Sequence, residues 1–146
     1  MSILADTNIL LRRTQPGHEH HTAAVESVAK LLADGESVYY TPQNIAEFWN
    51  VATRPADKNG MGLPVATAQG EVEKIERLLM LLPDSPMAFG EWKRLVARHG
   101  VMGVQVHDAR LVALMAVHGV RRLLTFNVGD FKRYGIEVVH PGALVP

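Results

Sequence analysis

Four acidic residues spread along the chain have the side chains needed for metal-dependent hydrolysis: Asp6, Glu47, Asp108 and Asp130. Carboxylate oxygens are the ligands that hard cations such as Mg²⁺ and Mn²⁺ prefer, and the sequence has no cysteine that would favour a softer metal. Carboxylates that are crowded together repel one another, which raises their pKa values. If the fold brings the four acids together, we therefore expect a divalent cation to bind between them.

Two predicted strands end next to two of these acids. The apolar run at 1–5 is typical of a buried parallel strand, and Asp6 follows it directly. A second short strand is predicted at 122–125, before the polar loop that carries Asp130. Ligands bind outside the carboxyl ends of strands in open α/β sheets, so this edge is a candidate site. Taken alone, Asp6 is more simply explained as a turn residue or a helix cap.

The other two acids lie on predicted helices. Thr41-Pro42 is a strong helix start, because it offers a capping hydroxyl and then a proline at the first helical position; this helix runs to about Thr53 and carries Glu47. Asp108 falls in the first turn of a helix that ends at Gly119, where the helix dipole alone would favour a carboxylate. If the first of these helices packs beside the first strand, Glu47 can turn towards Asp6.

The remaining pattern predicts a single α/β domain, spanning 1–146, with a mainly parallel central sheet. Further helices are predicted at 22–33, 64–82 and 85–99, further strands at 38–40 and 136–139, and loops at 12–21 and 54–63.

Composition excludes several classes of protein. The chain has 146 residues, with fifteen basic and fifteen acidic ones, so its net charge gives no general affinity for nucleic acid. The absence of cysteine excludes disulfides and thiolate metal sites. The apolar stretches are too short for a membrane span, and the N-terminus lacks the features of a signal peptide. We therefore expect a cytoplasmic protein without a membrane segment.

A histidine cluster, His18-Glu19-His20-His21, suggests zinc at first sight. Two histidines on a helix converge on one ion when they are four residues apart, whereas these are nearly consecutive in a predicted loop. The sequence therefore argues against a zinc site there.

Four short blocks together resemble the signature of a known family. They are Asp6-Thr7-Asn8, Ala46-Glu47-Phe48, His107-Asp108-Ala109 and the block at 124–131, Leu-Thr-Phe-Asn-Val-Gly-Asp-Phe. In order and spacing they are similar to the blocks of PIN-domain nucleases, particularly the VapC-like toxins of type II toxin–antitoxin systems. The resemblance implies a three-layer domain with helices on both faces of the sheet. It also implies a Mg²⁺- or Mn²⁺-dependent endoribonuclease that forms a homodimer and is neutralised by an antitoxin.

The same resemblance assigns roles to individual residues. It implies that Asp6, Glu47, Asp108 and Asp130 form the catalytic, metal-binding acidic pocket, and that Asn8, Thr125 and Asn127 support it through hydrogen bonds. Whether Asp130 or Asn127 lies closer to the metal, and whether one or two ions bind, stays open.

Five basic residues are candidates for RNA contacts by their position near these blocks. They are Arg12, Arg13, Arg54, Lys58 and Arg110. Two of them belong to the loop 54–63, whose glycines favour a mobile flap near the pocket. Phosphate binding needs clustered cations, and a residue of this kind is more often a solvated charge.

Two other functions are compatible with parts of the pattern. A PIN-like fold can bind RNA or a protein partner without cleaving, although the presence of all four acids argues against a decayed site. A phosphatase with an aspartyl nucleophile also places an aspartate after its first strand. It needs a second aspartate two positions later, and that position is Asn8 here.

Overall fold

The computed structural model describes residues 1–145, which form an α/β domain around a five-stranded sheet in which every pairing is parallel. Its spatial order is β3-β2-β1-β4-β5. The first strand is therefore central, and the predicted α/β architecture with a parallel sheet is confirmed. The strands are β1 (Ser2–Ala5), β2 (Ser37–Tyr40), β3 (Met80–Leu81), β4 (Arg122–Leu124) and β5 (Glu137–Val139).

Helices cover both faces of the sheet, because side chains of β1 alternate between two apolar cores. Ile3 packs in the core shared with the first four helices, and Leu4 packs in the core shared with the last two; both are fully buried. The helices are α1 (Thr7–Arg13), α2 (His21–Ala33), α3 (Pro42–Thr53), α4 (Val65–Leu78), α5 (Ala88–His99) and α6 (Val106–His118).

The loop predicted at 12–21 is wrong at its beginning, because α1 continues through Arg13. The polar cluster after β1 starts a helix: the Thr7 backbone N–H donates to Asp6 Oδ1 at 2.8 Å. Asp6 is thus a helix N-cap as well as the residue that ends the central strand. Its backbone N–H also donates to the Leu124 carbonyl at 2.9 Å, which ties this junction to β4.

The helix predicted at 64–82 is too long, because α4 ends at Leu78 and β3 follows it. The apolar run through Leu82 fits a helix and a buried strand equally well, and only pairing with β2 decides between them. The helix predicted from Ser85 begins at Ala88 instead, since Ser85 first makes a turn in which its carbonyl accepts from the Ala88 N–H at 3.0 Å.

Backbone hydrogen bonds hold the loop 54–63 against the end of α3, and its action as a mobile flap stays a prediction. The Met61 N–H donates to the Val51 carbonyl at 2.9 Å, and the Leu63 N–H donates to the Ala52 carbonyl at 2.8 Å. A Cβ atom at Gly60 would collide with the Arg54 carbonyl, so the tight turn requires glycine there. Across residues 1–145, no helix is both long and apolar enough to cross a membrane.

The start of α3 is fixed by a buried capping box. The Asn44 N–H donates to Thr41 Oγ1 at 3.0 Å, while the Thr41 N–H donates to Asn44 Oδ1 at 2.9 Å. Asn44 also donates from Nδ2 to Thr7 Oγ1 at 3.0 Å. One fully buried amide therefore joins the start of α3 to the start of α1.

We expect Asn44→Ala to lower the free energy of unfolding by about 2–3 kcal/mol, because it removes a cap and leaves buried polar groups unpaired. Urea unfolding followed by circular dichroism measures the change. Asn50→Ala is the matched control, since Asn50 is an exposed asparagine on the same helix. Equal effects of the two substitutions would contradict the role of the capping box.

Candidate active site

Asp6 is the most constrained of the predicted acids. Only 7% of the residue is exposed, at the carboxyl end of the central strand. Its Oδ1 accepts from the Thr7 N–H, and its Oδ2 accepts from Thr125 Oγ1 at 2.8 Å and from Asn8 Nδ2 at 3.4 Å. The carboxylate is therefore held by donors that follow β1 and by a donor that follows β4, at the point where these paired strands end.

The pKa of Asp6 is raised to about 6. Burial is the main cause, and the negative charges of Glu47 and Asp130 add to it. Hydrogen bonds from Thr125 and from the Thr7 backbone act in the opposite direction, but they do not cancel the effect of burial. The fold thus maintains a carboxylate whose negative charge is only partly compensated.

The three predicted supporting residues differ in what they contribute. Asn8 donates from Nδ2 to Thr125 Oγ1 at 3.0 Å and accepts at Oδ1 from the Phe126 N–H at 3.3 Å. Thr125 Oγ1 also accepts from the Asn127 N–H at 3.0 Å. Asn8 and Thr125 therefore act through side chains, whereas Asn127 joins this network through its backbone and has an exposed side chain.

Glu47 reaches the same junction from α3. Its Oε1 accepts from Thr7 Oγ1 at 2.6 Å, and its Oε2 accepts from Gln43 Nε2 at 3.2 Å. The same Gln43 nitrogen donates to the His107 carbonyl at 2.8 Å, so this side chain links α3 to the start of α6. Sequence reasoning missed Gln43 and Thr7 as site residues, although Gln43 is four positions before Glu47 and so shares its helix face.

Asp108 lies half-buried in the first turn of α6. Its pKa is raised to about 7, mainly by burial and then by the charges of Asp6, Asp130 and Glu47. The charge of Arg133 lowers that pKa without cancelling the rise. Because each of the other three acids acts on Asp108, all three lie within electrostatic reach of this carboxylate.

Arg133 is a second residue that the sequence did not indicate. Its guanidinium donates to the Gln105 side-chain oxygen and, at 3.4 Å, to the His99 carbonyl, and its Cζ lies 5.5 Å from the centre of the Tyr134 ring. These contacts hold a positive charge near Asp108. The only signal in the sequence is that Arg133 follows Asp130 by three positions.

Asp130 is the least enclosed of the four acids. It is exposed and belongs to the 3₁₀ turn Val128–Asp130, just beyond β4. Its charge raises the pKa values of both Asp6 and Asp108, so it lies within electrostatic range of both residues.

Two cavities lie in this part of the molecule, and of the four acids Glu47 alone lines one of them. The first has a volume of about 540 Å³ and includes Glu47, Asn50 and His107 in its lining. The second has a volume of about 660 Å³ and is more apolar, with Phe89 and Trp92 in its lining. The two cavities share three lining residues: Gln43, Asp84 and Arg110.

The chemistry of the acids fits a hard divalent cation, since all four offer oxygen and the raised pKa values of Asp6 and Asp108 report uncompensated negative charge. In the conformation of residues 1–145, however, no set of three or more histidine, aspartate or glutamate side chains already converges on one ion position. Side-chain rotation on binding would have to complete such a set. The histidine cluster at 18–21 forms no such set among the described residues either.

The predicted RNA-binding residues are dispersed. Arg110 is exposed and lines both cavities. Arg12 donates to Gln15 Oε1 at 2.7 Å, and Arg54 donates to the Asn59 carbonyl at 2.9 Å within its own loop. In the part of the chain that the structure describes, the other four predicted residues line neither cavity: Arg12, Arg13, Arg54 and Lys58.

Solved structures of low sequence identity share this fold. FitAcB from Neisseria gonorrhoeae matches with a TM-score of 0.70 and 19% identity, over 97% of this chain and 99% of that chain. VapC20 from Mycobacterium tuberculosis, described as a Sarcin-Ricin loop cleaving toxin, matches with a TM-score of 0.69 and 19% identity, over 92% and 95%. VapBC-5 of the same organism, described as a member of the VapBC family of toxin-antitoxin systems, matches with a TM-score of 0.55 and 20% identity, over 95% and 96%.

Direct sequence comparison with curated proteins gives no match. The family model of the PIN domain, in contrast, matches residues 3–137. That range contains β1 to the start of β5, together with all four acids and the residues that hold Asp6 and Glu47. The parallel sheet, the polar groups at its carboxyl edge and the family match agree, and the chain belongs to the PIN domain family.

Proposed function

We propose that the protein is a Mg²⁺- or Mn²⁺-dependent endoribonuclease, the toxin of a toxin–antitoxin pair, that hydrolyses RNA phosphodiester bonds. The observation that carries the proposal is the electrostatic coupling of four carboxylates, through which Asp6, Asp130 and Glu47 raise the pKa of Asp108. PIN-domain proteins of the VapC type are generally nucleases, and PIN nucleases usually use a divalent metal. The toxin VapC20, which shares the fold, is described as cleaving the Sarcin-Ricin loop.

In this proposal Asp6 and Asp108 are the main metal ligands, and Asp130 completes the set. When bound, a divalent cation supplies the positive charge that activates water and neutralises charge developing on the phosphate. The protein's own contribution is orientation. Thr125 and Thr7 hold both oxygens of Asp6, which fixes that carboxylate before substrate arrives.

Glu47 has a separate role in this proposal. Thr7 donates to one of its oxygens and Gln43 to the other, so its carboxylate is fixed in direction. Glu47 also lines the 540 Å³ cavity, where a water molecule could donate a proton to it or be turned towards the phosphate.

Arg110, at the rim shared by both cavities, is the basic residue proposed to contact RNA. A phosphatase reaction has no support here, because Asn8 stands at the position of the second aspartate and is bound to Thr125.

The proposed partners are an antitoxin and a second copy of the chain. The antitoxin is supported by neighbours such as VapBC-5, whose family is described as toxin–antitoxin systems. For the homodimer we propose the free edge of the sheet at β3, where Met80 and Leu81 are 52% and 49% exposed. The location proposed is the cytoplasm, where the RNA substrate is found.

We expect Asp6→Asn and Asp108→Asn each to reduce RNA cleavage more than about 100-fold while the protein stays folded, because even the supporting groups of metal sites contribute about 10–100-fold. Labelled RNA incubated with Mg²⁺, with Mn²⁺ or with EDTA provides the measurement. Asp34→Asn, at the exposed end of α2, is the control that should cleave like the original protein. Full activity of Asp108→Asn, or full activity in EDTA, would refute the proposal.

The metal-free protein should lose stability as the pH rises from about 4 to about 7. The pKa values of Asp6 and Asp108 in the folded protein are raised from 3.8 to about 6 and about 7, so in this range the folded state binds more protons than the unfolded state. Asp6→Asn removes part of this effect and should stabilise the protein at pH 7.5 by up to about 3 kcal/mol. Urea unfolding in EDTA at pH 5 and pH 7.5 tests this; an unchanged pH dependence in Asp6→Asn would contradict it.

Met80→Glu should convert a homodimer to a monomer, because it places a charge on the proposed apolar interface. Light scattering after gel filtration measures the mass of each species. Met102→Glu is the comparison, since Met102 is also an exposed methionine, at 78%, outside the β3 edge. A Met80→Glu dimer would show that the copies meet elsewhere.

A further inference from the structure

We propose that the 660 Å³ cavity binds one unpaired nucleobase of the RNA substrate, stacked on Phe89 and Trp92. This inference rests on the proposed ribonuclease function and adds a subsite that holds a base near the cleaved phosphate. It gives a role to an apolar cavity with an exposed aromatic ring that adjoins the cavity lined by Glu47.

The position of the cavity supports this occupant. The two cavities share Gln43, Asp84 and Arg110, so they form one continuous depression next to Glu47. A single RNA strand crossing this depression can present its phosphate to the carboxylates and its neighbouring base to the apolar part. The volume falls within the range of about 300–1,000 Å³ that is usual for small-molecule sites and leaves room for a purine or a pyrimidine.

The two aromatic rings form a platform for stacking. Their centroids are 6.2 Å apart and their planes meet at 28°, and Phe89 is 68% exposed although it is large and apolar. Unpaired bases bind aromatic side chains through their faces, independently of sequence. Trp92 is fixed by its Nε1–H, which donates to the Val106 carbonyl at 2.9 Å. Val106 is the first residue of the helix that carries Asp108, so this hydrogen bond ties Trp92 to the start of that helix.

The polar groups of the lining fit a base better than a second phosphate. Gln43 donates from Nε2 to both Glu47 and His107, which leaves Oε1 as the atom of that amide that accepts a hydrogen bond. Asp84 brings a negative charge that repels phosphate and accepts from the N–H groups of a base edge. Arg110 supplies the positive charge for the backbone phosphate at the rim.

The test compares two labelled probes: a ten-nucleotide single-stranded RNA of mixed sequence and the same backbone with abasic interior positions. Binding is measured by fluorescence anisotropy in the Asp6→Asn background with Mg²⁺, so that RNA is bound without being cleaved. The variants added to that background are Phe89→Ala, Phe89→Tyr and the control Val65→Ala, which truncates a side chain that is 61% exposed at the start of α4. Melting curves confirm that each variant is folded.

We expect Phe89→Ala to weaken binding of the RNA about fivefold or more, as the loss of one base–aromatic stack implies, and to leave binding of the abasic probe unchanged. Phe89→Tyr should restore the affinity, and Val65→Ala should have no effect. In a Trp49→Phe background, Trp92 is the single tryptophan, because the chain contains two. RNA, but not the abasic probe, should then quench its fluorescence.

Three results would overturn the inference. The first is that Phe89→Ala binds RNA as tightly as its parent or weakens both probes equally, while the original protein cleaves RNA; the proposed function would then stand without this subsite. The second is that Phe89→Ala converts a dimer to a monomer, which would make the cavity part of the contact between copies. The third is that the original protein neither binds nor cleaves RNA, in which case the proposed function and the subsite both fail.

Discussion

The buried negative charge of Asp6 is the constraint on which the carboxyl edge of the sheet depends. A carboxylate with 7% exposure is costly unless donors or a cation compensate it. Thr7 and Thr125 donate to its two oxygens, yet its pKa is still raised to about 6. The neighbouring acids add to this imbalance. The negative charge of Asp6, at the end of the central strand, is therefore not neutralised by the domain's own residues. Such an uncompensated charge favours the binding of a cation.

The residues that hold these acids are also the residues that start the helices. Asp6 caps α1 by accepting the Thr7 backbone N–H, and the Thr7 hydroxyl in turn donates to Glu47. Asn44, the partner of Thr41 in the capping box of α3, donates to that same hydroxyl. Helix capping is local in sequence, but here its groups form a buried chain between two helices. The positions of Asp6 and Glu47 relative to one another thus follow from how α1 and α3 begin.

This coupling explains which features the sequence could predict. The end of β1, the start of α3 at Thr41-Pro42 and the parallel sheet depend on apolar runs and caps, which are local signals, and they agree with the structure. The helix α1 has seven residues, too few to show a helical period, and β3 has two residues that pairing with β2 alone defines. That the four acids form one metal-binding pocket stays a prediction from the family resemblance, supported by the effect of the other three acids on the pKa of Asp108.

The contacts that were not predictable are those made between elements distant in the chain. Arg133 influences Asp108 only because the turn after β4 meets the start of α6, and Gln43 reaches the His107 carbonyl 64 residues away. As a result, Asp6 and Asp108 differ in what determines their position and their pKa. Asp6 is fixed by donors to both of its oxygens, whereas the pKa of Asp108 is set by burial, by three like charges and by Arg133. A pKa of about 7 leaves Asp108 close to half-protonated at neutral pH without metal. The edge therefore combines one fixed carboxylate with one whose charge responds to an arriving cation, and burial and the neighbouring acids outweigh Arg133 in setting its pKa.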